Sequence, residues 1–205
     1  MQKYSIFNLI KNAFSNHQKW DLAWKDPTPK KEYDVVIIGG GGHGLATAYY
    51  LAKEHNITNV AIIEKGWIGG GNVGRNTTII RSNYMHDDNA LFSEFGMDLW
   101  RKMSQDLNYN VMFSPRGIIN LAHSDAQMNV YARRGNSMRL NGIDAELLNR
   151  EQVREIIPMA DFSENVRFPI FGGLIQPSAG TARHDAVAWG YARQADSMGV
   201  DIIQN

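Results

Sequence analysis

The chain has 205 residues, a formal net charge of zero, and 43% hydrophobic against 20% charged residues. That balance fits an ordinary soluble globular protein and gives no electrostatic reason to expect nucleic acid or a membrane as partner; the expected compartment is the cytoplasm. The lack of cysteine excludes disulfides and thiolate metal sites, and no apolar run approaches the roughly 20 residues of a membrane span.

Residues 1–33 read as an N-terminal arm and linker. Ile6, Leu9, Ile10 and Phe14 share one helical face, which suits an arm packed on the body or on another subunit; the alternative is a helix lying on a membrane surface. No small-residue cleavage site follows, so a signal peptide is not expected. DPTPKKEYD (26–34) is linker, and from Asp34 the chain changes character. DVVIIGGGGHG reads as a buried strand ending in glycines. HGLATAYYLAKEH predicts a helix with Leu45, Ala48, Tyr49 and Ala52 on one stripe, and NVAIIEK a second apolar strand. Strand, glycine turn, helix and strand make a βαβ unit with parallel strands. The glycine-rich loop GWIGGGNVGRNT (66–77) follows, then a helix capped by Asp87 and Asp88 that carries Leu91, Phe92, Phe95, Leu99, Trp100, Met103 and Leu107 at helical spacing. Residues 34–108 are therefore assigned to a nucleotide-binding region.

Further along, VMFS and IINLAH predict a hairpin around Pro115–Gly117. Ser124 with Gln127 has the capping-box pattern and opens a helix ending at Gly142; Asn149 caps a short helix that stops before Pro158. FGGLIQPSAGT reads as loop and edge strand. Residues 177–205 then read as a helix from about His184 to Met198, with Gly199 as its C′ residue, and a strand opening in VDIIQN. The chain reads as cut partway through a larger α/β protein.

Gly39-x-Gly41-x-x-Gly44 fits the dinucleotide fingerprint, here set between a strand and a helix, with Glu64 closing the second strand 20 residues after Gly44. Gly39 allows the tight turn, Gly41 lets backbone N–H groups approach a pyrophosphate, and Gly44 lets the helix pack close to the strand. Gly42 and His43 begin the helix, whose positive end favours phosphate; His43 faces solvent or that phosphate. Glu64 can accept from both adenosine ribose hydroxyls and would repel a 2′-phosphate, which points to FAD or NAD rather than NADP. The extended, small-residue stretch after Glu64 suits a ribityl chain and an isoalloxazine ring, favouring FAD. Arg75, Asn76, Thr77 and Thr78 offer donors there. Trp67, Trp100 and Trp189 read as core. His86 and His123 lack a partner ligand at metal spacing, so no metal site is expected.

These stretches, with GTARHDAVAWGYAR (180–193), the arm YSIFNLIKNAF and the DLAW segment, resemble the β subunit of heterotetrameric sarcosine oxidase along essentially the whole chain. More broadly, they resemble the flavoprotein amine oxidases of the glycine-oxidase and D-amino-acid-oxidase type. The resemblance implies a Rossmann-like, GR2-type FAD-binding parallel sheet with part of a second, mostly β substrate domain over residues 109–176, and residues 177–205 returning to the FAD-binding domain. It implies noncovalent FAD held at the fingerprint and by Glu64, Lys65, Asn72, Arg75, Thr77, Thr78 and Ile79. It also implies FMN attached covalently to His184 in TARHDAVAW. Arg81, in IIR with Tyr84 after it, would meet the carboxylate of sarcosine; Thr78 stands where some monomeric relatives carry a second arginine. Implied partners are α, γ and δ subunits, O2, and tetrahydrofolate through the α subunit. A single-flavin amine or dimethylglycine dehydrogenase and a non-catalytic FAD-binding fragment are the alternatives. For His184 the local chemistry expected is a neutral imidazole, favoured by the helix N-terminus and by repulsion from Arg183.

Overall fold

The structure, a computed structural model, describes residues 5–20 and 23–205; Tyr4 of the arm and the first two residues of DLAW lie outside the described residues. In chain order the elements are α1 (Ile6–Ala13), β1 (Val35–Ile38), α2 (Gly42–His55), β2 (Val60–Glu64), β3 (Ile79–Ile80) and α3 (Asp87–Asp106). They continue with β4 (Ile118–Ala122), α4 (Asp125–Leu140), β5 (Glu146–Asn149), α5 (Arg150–Ile156), β6 (Gly172–Gln176), β7 (Gly180–Thr181), α6 (His184–Ser197) and β8 (Asp201–Gln204). Packing divides the described residues into two compact units, one up to Gly74 together with Tyr191–Asn205, the other Arg75–Gly190.

In the first unit, β1, β2 and β8 form a parallel sheet in the order β1-β2-β8, with Val35 opposite Val60 and Ala61 opposite Asp201. The apolar stripe of α2 is buried as its periodicity predicts: Leu45, Ala48, Tyr49 and Ala52 pack over β2, whose Val60, Ala61 and Ile62 are buried too. Asn56 ends α2 in the left-handed region (φ 55°), which an asparagine tolerates. Strand β1, expected to be buried, is an edge strand: Val36 is 49% and Ile38 81% exposed. Its β-branched run specifies a strand without specifying two covered faces. In α1 the arm's apolar face is also uncovered, Phe14 being 90% exposed, and the residue the helix buries is Asn12.

The second unit holds an antiparallel sheet in the order β4-β6-β5, on which α4 and α5 pack, and a short ladder of β3 with β7. The unit also holds α3, α4, α5 and the start of α6. The hairpin around Pro115–Gly117 does not form: β4 pairs with β6, and Ser114 instead bridges Thr181. The segment read as loop and edge strand is the central strand β6. Its Gly-Gly mimics a turn in sequence, yet a Cβ on Gly172 would lie 2.4 Å from the Leu148 carbonyl oxygen, and one on Gly173 3.0 Å from that of Asn120. The glycines let neighbouring backbones approach on both sides.

Capping is close to expectation with two corrections. Asp87 and Asp88 occupy the first turn of α3, after His86, where their charge still meets the helix dipole. Ser124 accepts from Gln127 N, but the Gln127 side chain accepts from His123 N, one residue before the cap. Asn149 and Gln152 form a complete reciprocal box. Met97, Met103 and Leu107 bury one face of α3 while Leu91, Phe92 and Phe95 stay exposed; Trp67 and Trp189, read as core, are exposed as well.

Candidate functional site

Helix α2 begins at Gly42 with Gly41 as an extended N-cap (φ −85°, ψ −179°) and no side chain capping it. Its first-turn N–H groups and the positive end of its dipole thus remain available to an anion. The three fingerprint glycines differ in what fixes them. Gly39 has φ +106°, a conformation only glycine adopts without strain. Gly41 has room, the nearest atom to an added Cβ being Val73 Cγ2 at 3.8 Å. Gly44 has none: a Cβ there would lie 2.1 Å from the Gly39 carbonyl oxygen. His43 is exposed on the first turn.

Glu64 ends β2 and is more tightly held than a free ribose acceptor. Its Oε2 accepts from Gly40 N at 2.7 Å and its Oε1 from Gly66 N at 2.9 Å, so one carboxylate ties the glycine turn to the segment after β2. Each oxygen keeps a second lone pair for a hydroxyl donor. An uncapped helix start, a glycine with space above it and a carboxylate at the end of β2 fit a dinucleotide with a free ribose. Lys65 is exposed, as are Asn72 and Arg75, which begin and end a 3-10 turn.

In the second unit Thr77 is exposed and Thr78 takes φ +62°, rare for a β-branched residue, with its carbonyl accepting from Ala182 N at 3.1 Å. Strand β3 then delivers Ile79, Ile80 and Arg81 to one wall of an open cleft of about 300 Å³, the other wall being Phe92, Phe95 and Trp100 of α3. The exposed aromatic face of α3 is thus a cleft lining. Tyr84 lies 5.4 Å beneath the Arg81 guanidinium, and Arg81 Nη1 donates to Asn83 Oδ1 at 2.9 Å.

Asn83 and Arg134 were not singled out from the sequence. Asn83 is buried, and Arg134 on α4 grips it with Nε to the backbone oxygen at 2.7 Å and Nη2 to both that oxygen and Oδ1. Burial, then the like charge of Arg81, lowers the Arg134 pKa below the ordinary arginine value. On the other side of Arg81, Ser82 is fixed by buried Gln176, which accepts from Ser82 N at 3.1 Å and donates to Ser82 Oγ at 2.7 Å. No periodicity or motif links positions 82, 83, 134 and 176, so only the folded chain reveals this support.

His184 is the first residue of α6, and its Nδ1 is buried without a partner. The charge repulsion expected from Arg183 is largely cancelled: its guanidinium forks onto Asp185 at 2.9 and 2.6 Å. Those hydrogen bonds hold the Asp185 carboxyl below the usual carboxylate range and raise the Arg183 pKa. Among the described residues no group of three or more His, Asp or Glu side chains could hold a metal, and no helix is long and apolar enough to cross a membrane.

Sarcosine oxidase subunit beta of Rhizobium meliloti (strain 1021) is 62% identical over 203 residues, 99% of this chain and 49% of that protein. The subunit of the same name from an Arthrobacter species is 54% identical over 185 residues, 90% of this chain and 46% of that protein. The chain spans about half the length of the curated relatives it matches. Among solved structures, L-proline dehydrogenase from P. horikoshii superposes with a TM-score of 0.77 at 27% identity, covering 86% of this chain and 45% of that one. The family model of FAD dependent oxidoreductases matches residues 34–205, from the residue before β1 to the residue after β8, and the chain belongs to that family.

Proposed function

We propose that this chain forms the dinucleotide-binding part of a sarcosine-oxidising β subunit that works with α, γ and δ subunits. The observation that carries the reading is the near full-chain likeness to sarcosine oxidase subunit beta, joined to an arginine at the wall of an aromatic cleft. FAD, when bound, supplies the hydride acceptor for the substrate's N-methyl carbon, and FMN the outlet of electrons to O2, yielding H2O2. The resulting imine passes to tetrahydrofolate as its methylene derivative or hydrolyses to glycine and formaldehyde.

The chain's own residues have distinct tasks in this scheme. The start of α2, with Gly41, Gly42 and His43, receives the pyrophosphate, and Glu64 the ribose. Lys65, Asn72, Arg75, Thr77, Thr78 and Ile79 border the rest of the FAD. Arg81 binds the sarcosine carboxylate through the nitrogens not given to Asn83, with Tyr84 supporting its guanidinium plane. His184 tethers the FMN, and its buried, unpartnered Nδ1 at the start of α6 is the observation that supports this role. Arg183 and Asp185 neutralise one another and keep that position free of net charge.

Intact mass decides the tether. The full-length protein, co-expressed with its genomic neighbours and acid-precipitated, is expected to carry the mass of one FMN, absent from His184→Ala. No mass gain in the wild-type protein would replace the two-flavin reading with that of a single-flavin dehydrogenase.

A further inference from the structure

Arg81 and Arg134 donate to the same amide oxygen, Asn83 Oδ1, at 2.9 and 3.1 Å. Two guanidinium groups therefore converge on one neutral acceptor. Among the described residues neither is ion-paired with a carboxylate, whereas Arg101 pairs with Glu94 and Asp98, and Arg183 with Asp185. Glu94, the carboxylate that touches Ser82, is committed to Ser82 Oγ at 2.6 Å and to Arg101. Asn83 cannot turn to relieve the pair, because its Nδ2 donates to Asn120 Oδ1 at 3.3 Å and its backbone oxygen is held by Arg134. Like charges gathered without a counter-ion raise the free energy of the empty site, and an entering anion lowers it. The lowered Arg134 pKa, caused first by burial and then by Arg81, is the same strain seen from the other partner.

We propose that Arg81 and Arg134 form a two-guanidinium receptor for the substrate carboxylate, in which Arg81 meets the anion and Arg134 is a positioning residue acting through Asn83. This rests on the reading above that Arg81 faces the substrate. Arg134 fixes the Asn83 amide so that one Arg81 nitrogen is occupied and the others present a fork to the ligand. Its own charge adds to the field at the carboxylate from behind. The site is thereby selective for amino acids over amines lacking a carboxylate.

The test uses the flavin-loaded, full-length complex and (methylthio)acetate, a sulfur isostere of sarcosine that keeps the carboxylate and has no amine to oxidise. Binding is read from the flavin absorbance change. Arg134→Gln is expected to raise Kd at least about tenfold, and Arg134→Lys, which keeps charge but not the fork, about threefold. Asn83→Asp is the discriminating variant. It keeps the shape and strengthens the grip of Arg134, so a purely structural role predicts normal binding and equal or higher thermal stability. The receptor predicts that this internal carboxylate neutralises both arginines and raises Kd at least about tenfold in a protein that still folds. Normal binding by Asn83→Asp overturns the proposal, even if Arg134→Gln is weakened or misfolded. Arg81→Gln separates the two levels: if it too binds normally, the carboxylate reading of Arg81 itself fails, whereas weakening confined to Arg81→Gln sinks the Arg134 proposal alone.

Discussion

Substituting the fingerprint glycines one at a time separates folding from cofactor binding. In Gly44→Ala the new methyl would sit 2.1 Å from the Gly39 carbonyl oxygen and 3.2 Å from Ile37 Cγ2. The first contact is with backbone, so α2 must lift from β1. Replacing a helical glycine gains about 1 kcal/mol of propensity, but an overpacked rigid contact costs about 3 kcal/mol or more. The net loss corresponds to a fall in Tm of roughly 4–8 °C for a chain of this size. Gly41→Ala meets nothing nearer than 3.8 Å and keeps an allowed φ of −85°. It gives up only a modest N-cap preference, below about 1 kcal/mol, so its Tm stays within about 3 °C of the parent. Its methyl nevertheless occupies the space through which a pyrophosphate reaches the α2 N–H groups, and FAD affinity is expected to drop at least about 100-fold. Thermal unfolding of the flavin-free proteins and titration with FAD, followed by its fluorescence, give both numbers. The reasoning fails if Gly41→Ala binds FAD like the parent, or if it loses as much stability as Gly44→Ala.

Glu64→Gln places an amide nitrogen against the N–H of Gly40 or Gly66, which now donate to separate carboxylate oxygens. One N–H loses its acceptor at a cost of about 1–3 kcal/mol, and a lower Tm with weaker FAD binding is expected; an unchanged Tm would mean that the two bonds do not brace the loop. Asp185 has a folded-state pKa below its ordinary value, chiefly through Arg183. Its carboxylate therefore adds stability above pH about 4, and the contribution disappears as pH falls through the lower folded value. In parallel acid titrations the gap between the parent and Asp185→Asn should close as pH falls across that window and hold constant above it. A gap independent of pH would dismiss the Arg183–Asp185 linkage.

What the sequence disclosed depended on whether a pattern maps onto one physical cause. The βαβ unit was legible because apolar strands, a helical stripe and three spaced glycines all require the same arrangement. Asn149 as a cap, and Gly199 after α6 (φ +100°), were legible because capping is local. The β4–β6 pairing was not. Its partners are separated by the whole of α4, β5 and α5, and the Gly172–Gly173 pair gives the same signal for a turn as for a strand squeezed between neighbours. Exposure was legible least: alternating or continuous apolar residues specify an element, and only packing decides whether Ile38, Phe92 or Trp67 finds a cover.

The candidate site divides along the same line. Gly39, Gly41, Gly44 and Glu64 announce themselves because backbone conformation and helix-dipole electrostatics tie a spacing to a task. Arg81 could be named only through resemblance, since a lone arginine after a short strand has no spacing rule. Arg134 had no signal at all: it sits 53 positions away on α4, in a sequence, YARRGN, that reads as a solvated helix face. The fold changes its meaning by turning its side chain onto Asn83. From that contact two features follow that neither residue carries alone, a fixed orientation for Arg81 and an uncompensated second charge. The distinction matters for substitution: exchanging Asn83 for aspartate would look conservative in any alignment of shapes, yet under the proposed receptor it would fill with an internal carboxylate the place of the substrate's. Selectivity for an amino acid over a simple amine would then reside in keeping that position neutral as much as in the arginine that touches the ligand.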